Sequence, residues 1–538
     1  MALKRLKFKK EDIVFITSIT SIFFIQMYKA RLGTGSNDEH FYISLGYRFY
    51  QGDALFYDDW HIAQMIGFFI TPVVYLFRLI HGSNDGIVLG FRHAYVLFTL
   101  FIGLCIYLKF RKEYRYYAVV ASSVYMLFTP FQIMALSYNT MSVGFLLLAL
   151  LCYKRHHILR IFLSGVLYGC AVINTPYLAL GYVFILFMTI KHKDIFNVKD
   201  CISISLGIAL TAISFLIFVF SRTSLSNVLS NLQYLVDPSH STSIPKLFAI
   251  NGYRLIHAYG VAFVIFVFEL VYAFINRKKY QEKKVLEITY LLTTLMIVYA
   301  SLIHPTDISI GGFIYILLPI YICGLIHLLL VKEDSYLKLC FGVSSFHAFL
   351  LSISSNVGPR SFLGPLITAV FIAILICQKD KQYPVWNKMT VTCFVAFLLF
   401  YKLTSVYGGS GDYFVKIENG PLKGLYDSSE IVKNYQSTLE DIEYINTLDK
   451  DYIRCISYST WEYLASDKKC GTNSTYIYFW YKDQYENACD TYASKHTDKK
   501  CWIYLDEQSL PFGITEEDSW MKQFTKVKKL NSGVLFEN

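Results

Sequence analysis

Two adjacent carboxylates, Asp38 and Glu39, stand in the stretch GSNDEHFYISLGYRF (35–49), directly after the first long apolar run of a 538-residue chain. A carboxylate in such a place can take the proton from a weak nucleophile such as a hydroxyl. A plainer role is local: Ser36 followed three residues later by Glu39 fits a capping box, and acidic residues in a first turn complement the helix dipole. Further along, YDDWH groups Asp58, Asp59 and His61. These types hold a divalent cation or contact a hydroxyl-rich ligand, and a solvated polar turn has the same composition. Arg92, Arg254 and Arg360 each stand at an end of an apolar run. Arginine there is suited to bidentate phosphate binding, with snorkelling to lipid headgroups as the alternative. His304 in IHPTD, and Tyr138 and Asn139 in MALSYNTMSVG, add further polar groups at run ends.

The composition says what kind of scaffold carries these side chains. Hydrophobic residues make up 54% of the chain and mean hydropathy is positive, which excludes disorder and an ordinary soluble protein. The formal net charge is +10, but the basic residues gather in short clusters between apolar runs. That distribution orients membrane helices and argues against a nucleic-acid partner. The first run is too long for a signal's apolar region and lacks a small-residue cleavage pattern, so it is read as a retained helix with a cytoplasmic N-terminus.

A bilayer core of about 30 Å takes roughly 20 apolar residues per crossing, which gives about thirteen spans. They fall near 12–30, 87–109, 116–136, 140–153, 158–174, 177–190, 202–220, 254–276, 286–303, 312–331, 337–354, 361–378 and 388–405. The apolar stretch 64–82 decides the topology. Kept on the outer face, it leaves KFRKEYR, YKRHH, KHKD, NRKKYQEKK and QKDKQ inside; counted as a crossing, it would put all of them outside. It is therefore predicted to be a juxtamembrane or re-entrant helix, broken at Pro72.

The chain divides into a transmembrane part, 1–409, with first external loop 31–86, and an external α/β domain, 410–538. In that domain SSEIVKNYQSTLEDIEYINTL has helical spacing, while YIRCISYS, YIYFWY and CWIYLDE read as strands. It also holds Cys455, Cys470, Cys489 and Cys501, an even number that permits two disulfides. Pairing 455 with 470 and 489 with 501 is one of the three connectivities.

The order of features over residues 31–110 resembles the GT-C superfamily of polyprenyl-phosphate-sugar-dependent glycosyltransferases. Members open their first external loop with an acidic residue or an Asp-Glu pair on a surface helix, here Asp38–Glu39. A glycine turn (Gly52), an aromatic-acidic segment (YDDWH), a proline-containing juxtamembrane helix (Pro72) and a span opening near an arginine (Arg92) follow. The span number and the C-terminal external domain look like the lipid A aminoarabinose transferase branch. The acidic pair is similar to that of the protein O-mannosyltransferases. Many members carry another acid before the fourth span; this chain has Asn139 there, which counts against a two-acid metal site.

The resemblance implies a GT-C-like polytopic α-helical membrane protein with external juxtamembrane helices and a small external α/β domain. It implies Asp38 as catalytic base beside Glu39, and a donor phosphate met by Arg360 first, then Arg92, Arg254 and His304. Asp58, Asp59, His61, Tyr138 and Asn139 become substrate contacts. No metal ligand is assigned and no cofactor is required, a divalent metal staying an option. The donor is a polyprenyl-phosphate sugar, the acceptor a cell-surface glycan, lipid or protein, and transfer proceeds with inversion. The location implied is the plasma (inner) membrane, amid its lipids, with the C-terminal domain external or periplasmic. A flippase or transporter of lipid-linked glycans and an O-antigen or capsule polymerase are the alternatives. The chain shows no internal repeat of the transporter kind, and its central loop 221–253 is short for a polymerase.

Overall fold

A computed structural model of the chain describes residues 9–35, 37–191, 197–235, 245–246, 249–250, 252–253, 256, 261–275, 283–303, 314–330, 335–353, 366–378, 384–406, 411–479 and 481–537. Up to Thr404 the regular structure is helical: α1 (Lys10–Lys29), α2 (Asn37–Tyr50), α3 (Gly67–His81), α4 (Ile87–Tyr114), α5 (Tyr116–Leu127), α6 (Tyr138–Cys152), α7 (Ile158–Asn174), α8 (Ala179–Lys191) and α9 (Val198–Phe220). α10 (Leu225–Asn231), α11 (Val261–Ile275), α12 (Lys283–Ile303), α13 (Ile314–Leu330), α14 (Ser335–Ile353), α15 (Ile367–Gln378) and α16 (Pro384–Thr404) complete the bundle. Among the described residues, Lys10–Lys29, Ile62–His81, Ile87–Tyr114 and Val198–Phe220 are long and apolar enough to cross a membrane, and shorter apolar helices accompany them. The protein is a polytopic α-helical membrane protein with a small C-terminal sheet domain.

α4 illustrates how sequence becomes bundle. Leu97, Phe101, Leu104 and Leu108 are exposed at helical spacing, while Arg92, Tyr95, Val96, Thr99 and Ile106 are buried. A helix with apolar side chains on its exposed face and polar ones turned inward suits lipid, not water. α1 runs antiparallel to it and is pinned at the far end, where Asp12 accepts hydrogen bonds from Tyr107 (2.7 Å) and Arg111 (2.9 Å).

The span expected at 116–136 stops early. α5 ends at Leu127, and residues 128–137 form an irregular segment with one short 3-10 turn at Pro130–Gln132. Proline has no N–H to continue the ladder and forces the preceding residue out of the helical region, so Thr129-Pro130 breaks the span. The freed Thr129 hydroxyl is used at once, accepting from Lys402 of α16 at 2.6 Å and meeting the Tyr95 phenol at 3.3 Å.

Residues 62–81 have the composition of a span, yet both ends rest against the C-terminal domain. At the start, Trp60 N–H donates to Asn473 O (2.8 Å) and His61 packs on Tyr476 and Tyr478. At the end, Asn84 donates to Leu464 O (2.7 Å) and Gly86 N–H to Gly420 O (2.9 Å). A crossing helix would carry one end about 30 Å away from that domain. α3 instead lies along α2. Gly46 makes the approach possible, since a β-carbon there would collide with Ile70 of α3.

The C-terminal domain opens with a small β1–β2 hairpin (Val415–Lys416, Tyr426–Asp427) and α17 (Ser429–Asn446). β3 (Tyr452–Ile456), α18 (Glu462–Ala465), β4 (Lys469–Cys470), α19 (Lys482–Lys495), β5 (Cys501–Asp506), β6 (Thr525–Lys529) and β7 (Gly533–Glu537) follow. The sheet order is β4-β3-β5-β7-β6, with β3 parallel to β4 and β5 and the rest antiparallel. Two sequence expectations fail here. YIYFWY is no strand; its described residues run as irregular chain, with Tyr476 committed to α2 and Ile477 and Phe479 packed on the domain core. The four domain cysteines are buried and free rather than disulfide-bonded. Three of the thiols find partners where they sit: Cys470 against Thr472 O, Cys489 against the Thr472 hydroxyl, Cys501 against Gly471 O.

The in-plane course of α3 predicts that Ile62→Cys and Ser83→Cys label from the same side with a membrane-impermeant maleimide, measured over the wild-type background. Labelling from opposite sides would make residues 62–81 a crossing.

Candidate active site

Successive residues of a helix point about 100° apart. In the first turn of α2, that simple fact sends Asp38, Glu39 and His40 to three different surroundings.

Glu39 is buried and meets Arg92 of α4 in a two-pronged pair, Nε to Oε1 at 2.6 Å and Nη2 to Oε2 at 2.8 Å. The third arginine nitrogen, Nη1, donates to the carbonyls of Ala30, Leu32 and Gly33, just past the end of α1. Gly35 adopts φ +85°, and a β-carbon there would strike the Glu39–Arg92 pair. Arg92 was expected at the donor phosphate; it is instead committed to Glu39 and the chain. The Glu39 carboxylate likewise spans to Arg92 rather than capping its own helix, and Ser36 lies outside the described residues.

Asp38 is half-buried and faces α6 and the C-terminal domain. Its Oδ1 accepts a 2.8 Å hydrogen bond from the Tyr476 phenol. The Tyr138 phenol, paired with the Asn139 side chain, lies within electrostatic reach of the Asp38 carboxylate. Tyr42, one turn further along α2, meets the Tyr138 ring edge-on at 6.0 Å. His61 sits behind this group, its ring against Phe41 (4.5 Å), Tyr476 (5.7 Å) and Tyr478 (4.8 Å), with Nδ1 accepting from Ala63 N–H. Asp38, Tyr138, Asn139 and His61 are thus brought together, with Tyr476 as a member that sequence reasoning missed inside an expected strand.

Asp58 and Asp59 belong elsewhere. The buried Arg48, at the C-terminal end of α2, donates to Asp53 (2.5 Å), Asp59 (3.0 Å), Thr472 O (2.7 Å), the Tyr492 hydroxyl (3.2 Å) and the Asp58 carbonyl. Lys499 of the C-terminal domain pairs with the Asp58 carboxylate at 2.6 Å. Both carboxylates expected at substrate are therefore occupied in locking the first loop to the domain. Burial opposes ionisation of Asp58, but the Lys499 ammonium overcomes it and holds this carboxyl below its usual range. Burial prevails at Asp59 and lifts it to about 6, against the pull of Arg48. Among the described residues no group of three or more His, Cys, Asp or Glu could hold a metal ion. Arg254, His304 and Arg360 lie outside the described residues.

A second charged feature flanks the Glu39–Arg92 pair. Lys29, in the last turn of α1, and Lys402, in the last turn of α16, are both buried beside it. Lys29 donates to the carbonyls of Lys402 and Ser405, and Lys402 donates to Thr129. No carboxylate among the described residues pairs with either ammonium. With Gln132, Met134 and Val406 they line a cavity of about 10 Å³, room for roughly one water. Both nitrogens instead find backbone carbonyls or the Thr129 hydroxyl as partners. The sequence carried only a weak sign of this: a lone lysine at the end of an apolar run reads as an interfacial anchor. The arrangement places the Asp38 carboxylate on one side of α2 and the two lysine nitrogens on another.

No protein-family profile matches this chain, and no curated protein matches its sequence. Two solved structures of ArnT from Cupriavidus metallidurans are similar to it, each at 10% sequence identity and each covering 97% of this chain and 97% of that one. The TM-score is 0.39 for the apo state and 0.46 for the form bound to undecaprenyl phosphate. A likeness of this size concerns the path of the chain and assigns no role to a side chain.

Two measurements follow from the charges. Glu39→Gln strands the buried Arg92 charge and is expected to cost about 3–5 kcal/mol, read as a fall in thermal unfolding temperature in detergent. Asp38→Asn keeps an acceptor for Tyr476 and should stay within about 0.5 kcal/mol of wild type; equal losses would refute the separation of the two roles. For Asp59 the folded pKa of about 6 lies above the ordinary 3.8, so its contribution to stability is full below the lower value and lost as pH rises through the upper one. The unfolding temperature of wild type should accordingly fall relative to Asp59→Asn between pH 4 and pH 6, and a flat difference would contradict it.

Proposed function

We propose that this protein is a membrane-embedded glycosyltransferase that moves a sugar from a polyprenyl-phosphate donor to a hydroxyl of a glycan, lipid or protein acceptor. Transfer takes place on the outer face, at the end of the bundle that carries the C-terminal domain. The observation that carries this reading is the first turn of α2, with half-buried Asp38 on one side and, beyond Glu39–Arg92 on another, Lys29 and Lys402, which no carboxylate among the described residues pairs with. The pattern of residues 31–110 and the one-sided distribution of basic loops support it.

In this mechanism an acceptor hydroxyl loses its proton to Asp38 while its oxygen attacks the anomeric carbon. The bond from that carbon to the phosphate oxygen breaks, and the anomeric centre inverts. The lipid phosphate departs with the bonding electron pair, and Lys29 and Lys402 meet its charge. Tyr476 holds the Asp38 carboxylate in place, and Tyr138 and Asn139 are suited to contact sugar hydroxyls. A positioned general base is worth about 10²–10⁴-fold in rate.

The test is single-turnover transfer from radiolabelled polyprenyl-phosphate sugars to a membrane glycan extract, with the protein in lipid nanodiscs. Asp38→Asn should lower transfer by about 100-fold or more while donor binding persists. Lys402→Met should weaken donor binding first. Undiminished transfer by Asp38→Asn would remove it as base, and movement of the lipid-linked sugar across the bilayer without transfer would favour a flippase.

A further inference from the structure

The third residue of the α2 fan faces a site that neither the base nor the cationic pair uses. His40 and Asn37, the residues flanking Asp38–Glu39, line a cavity of about 250 Å³ between α2 and the C-terminal domain. That is just below the roughly 300 Å³ at which pockets for drug-sized ligands begin, so it suits one small ring and not a lipid chain or an oligosaccharide.

Its lining describes the ligand. The rings of Tyr435 and Trp461, 4.5 Å apart, present apolar faces. The Tyr435 ring is fixed because its hydroxyl donates to Asn419 O (2.9 Å). Asn434 and Gln508 stand at the exposed rim with amide donors and acceptors, and Asp506 lies in the floor. Among the described residues no lysine or arginine lines it, and the Asp506 carboxylate repels an anion, so a phosphate or an acidic headgroup does not fit. His40, nine-tenths or more buried, bonds Thr34 O through Nε2 (2.8 Å) and leaves Nδ1 without a partner. Burial keeps the imidazole below its usual pKa and hence neutral. With Nε2 donating to a carbonyl, Nδ1 is the acceptor nitrogen and is enclosed by the protein rather than exposed to the cavity. A ligand with apolar C–H faces for aromatic rings, many hydroxyls and no charge is a sugar.

We infer that this cavity is a binding pocket for a single neutral sugar ring, separate from the Asp38 carboxylate. Binding there does not depend on the transferase reading; its use as the seat of an acceptor's terminal sugar rests on that reading. The aromatic pair supplies the stacking platform, and the rim amides and Asp506 take the hydroxyls.

The experiment is saturation-transfer NMR and calorimetry on the full-length protein in nanodiscs. The probes are the methyl glycosides of glucose, galactose, mannose and N-acetylglucosamine. At least one should bind with a Kd on the order of 1 mM. The exposed-rim double variant Asn434→Ala/Gln508→Ala should weaken it about tenfold with an unchanged unfolding temperature. Asp38→Asn should bind it as wild type does. No binding by any of the four at about 100 mM, or binding indifferent to the rim variant, overturns the inference. Glycoside binding without sugar transfer would uphold the pocket and sink the transferase, and transfer without glycoside binding would do the reverse.

Discussion

The pair between Glu39 and Arg92 is the interaction on which the site depends. It takes two charges out of solvent and satisfies them with two short, parallel hydrogen bonds, while the remaining arginine nitrogen holds three carbonyls past the end of α1. One guanidinium joins α4 to the end of α1 and the start of α2. Arginine can do this because its donors form a rigid planar fork, where a lysine offers a single point charge. Once Glu39 is fixed, the rotation of α2 about its own axis is fixed as well, and so are the directions of Asp38 and His40.

A second arginine secures the other end of the same helix. Arg48 gathers Asp53 and Asp59 from the loop and Thr472 and Tyr492 from the C-terminal domain, with Lys499 closing the set on Asp58. Buried charges of this kind add little net stability over apolar packing, but they permit few alternative arrangements. The helix is thereby held between membrane bundle and domain with its first turn open to both. The domain is part of the site: Tyr476 reaches Asp38, and Tyr435 and Trp461 face the sugar-sized cavity beside His40.

Much of this was legible in the residues. The carboxylate pair after the first apolar run, the helical spacing of 429–446 and the strands around Cys455 and Tyr504 all follow from local pattern. The expectation that residues 62–81 do not cross came from the charge balance of distant loops, and the stretch meets the C-terminal domain at both ends. The errors have specific causes. Thr129-Pro130 was hidden in an apolar run whose hydropathy outvoted its backbone chemistry. YIYFWY had strand composition, but Tyr476 lies where an aspartate of another segment needs a donor. The disulfide expectation came from compartment and parity alone, which say nothing of where each thiol packs.

What the sequence by itself determined is the class: a polytopic helical membrane protein, an acidic first turn where a helix follows the first span, and a polar α/β domain at the end. Composition and period decide these because every residue votes on them independently. Only the tertiary structure decided which partner each carboxylate takes. Asp58 and Asp59 are the same residue type as Asp38, yet Arg48 and Lys499 hold them while the Tyr476 phenol meets Asp38. Lys29 and Lys402, 373 residues apart, become neighbours because a broken span lets their helix ends meet. A charge's role is set by what stands within a few ångströms of it, and that neighbour comes from elsewhere in the chain.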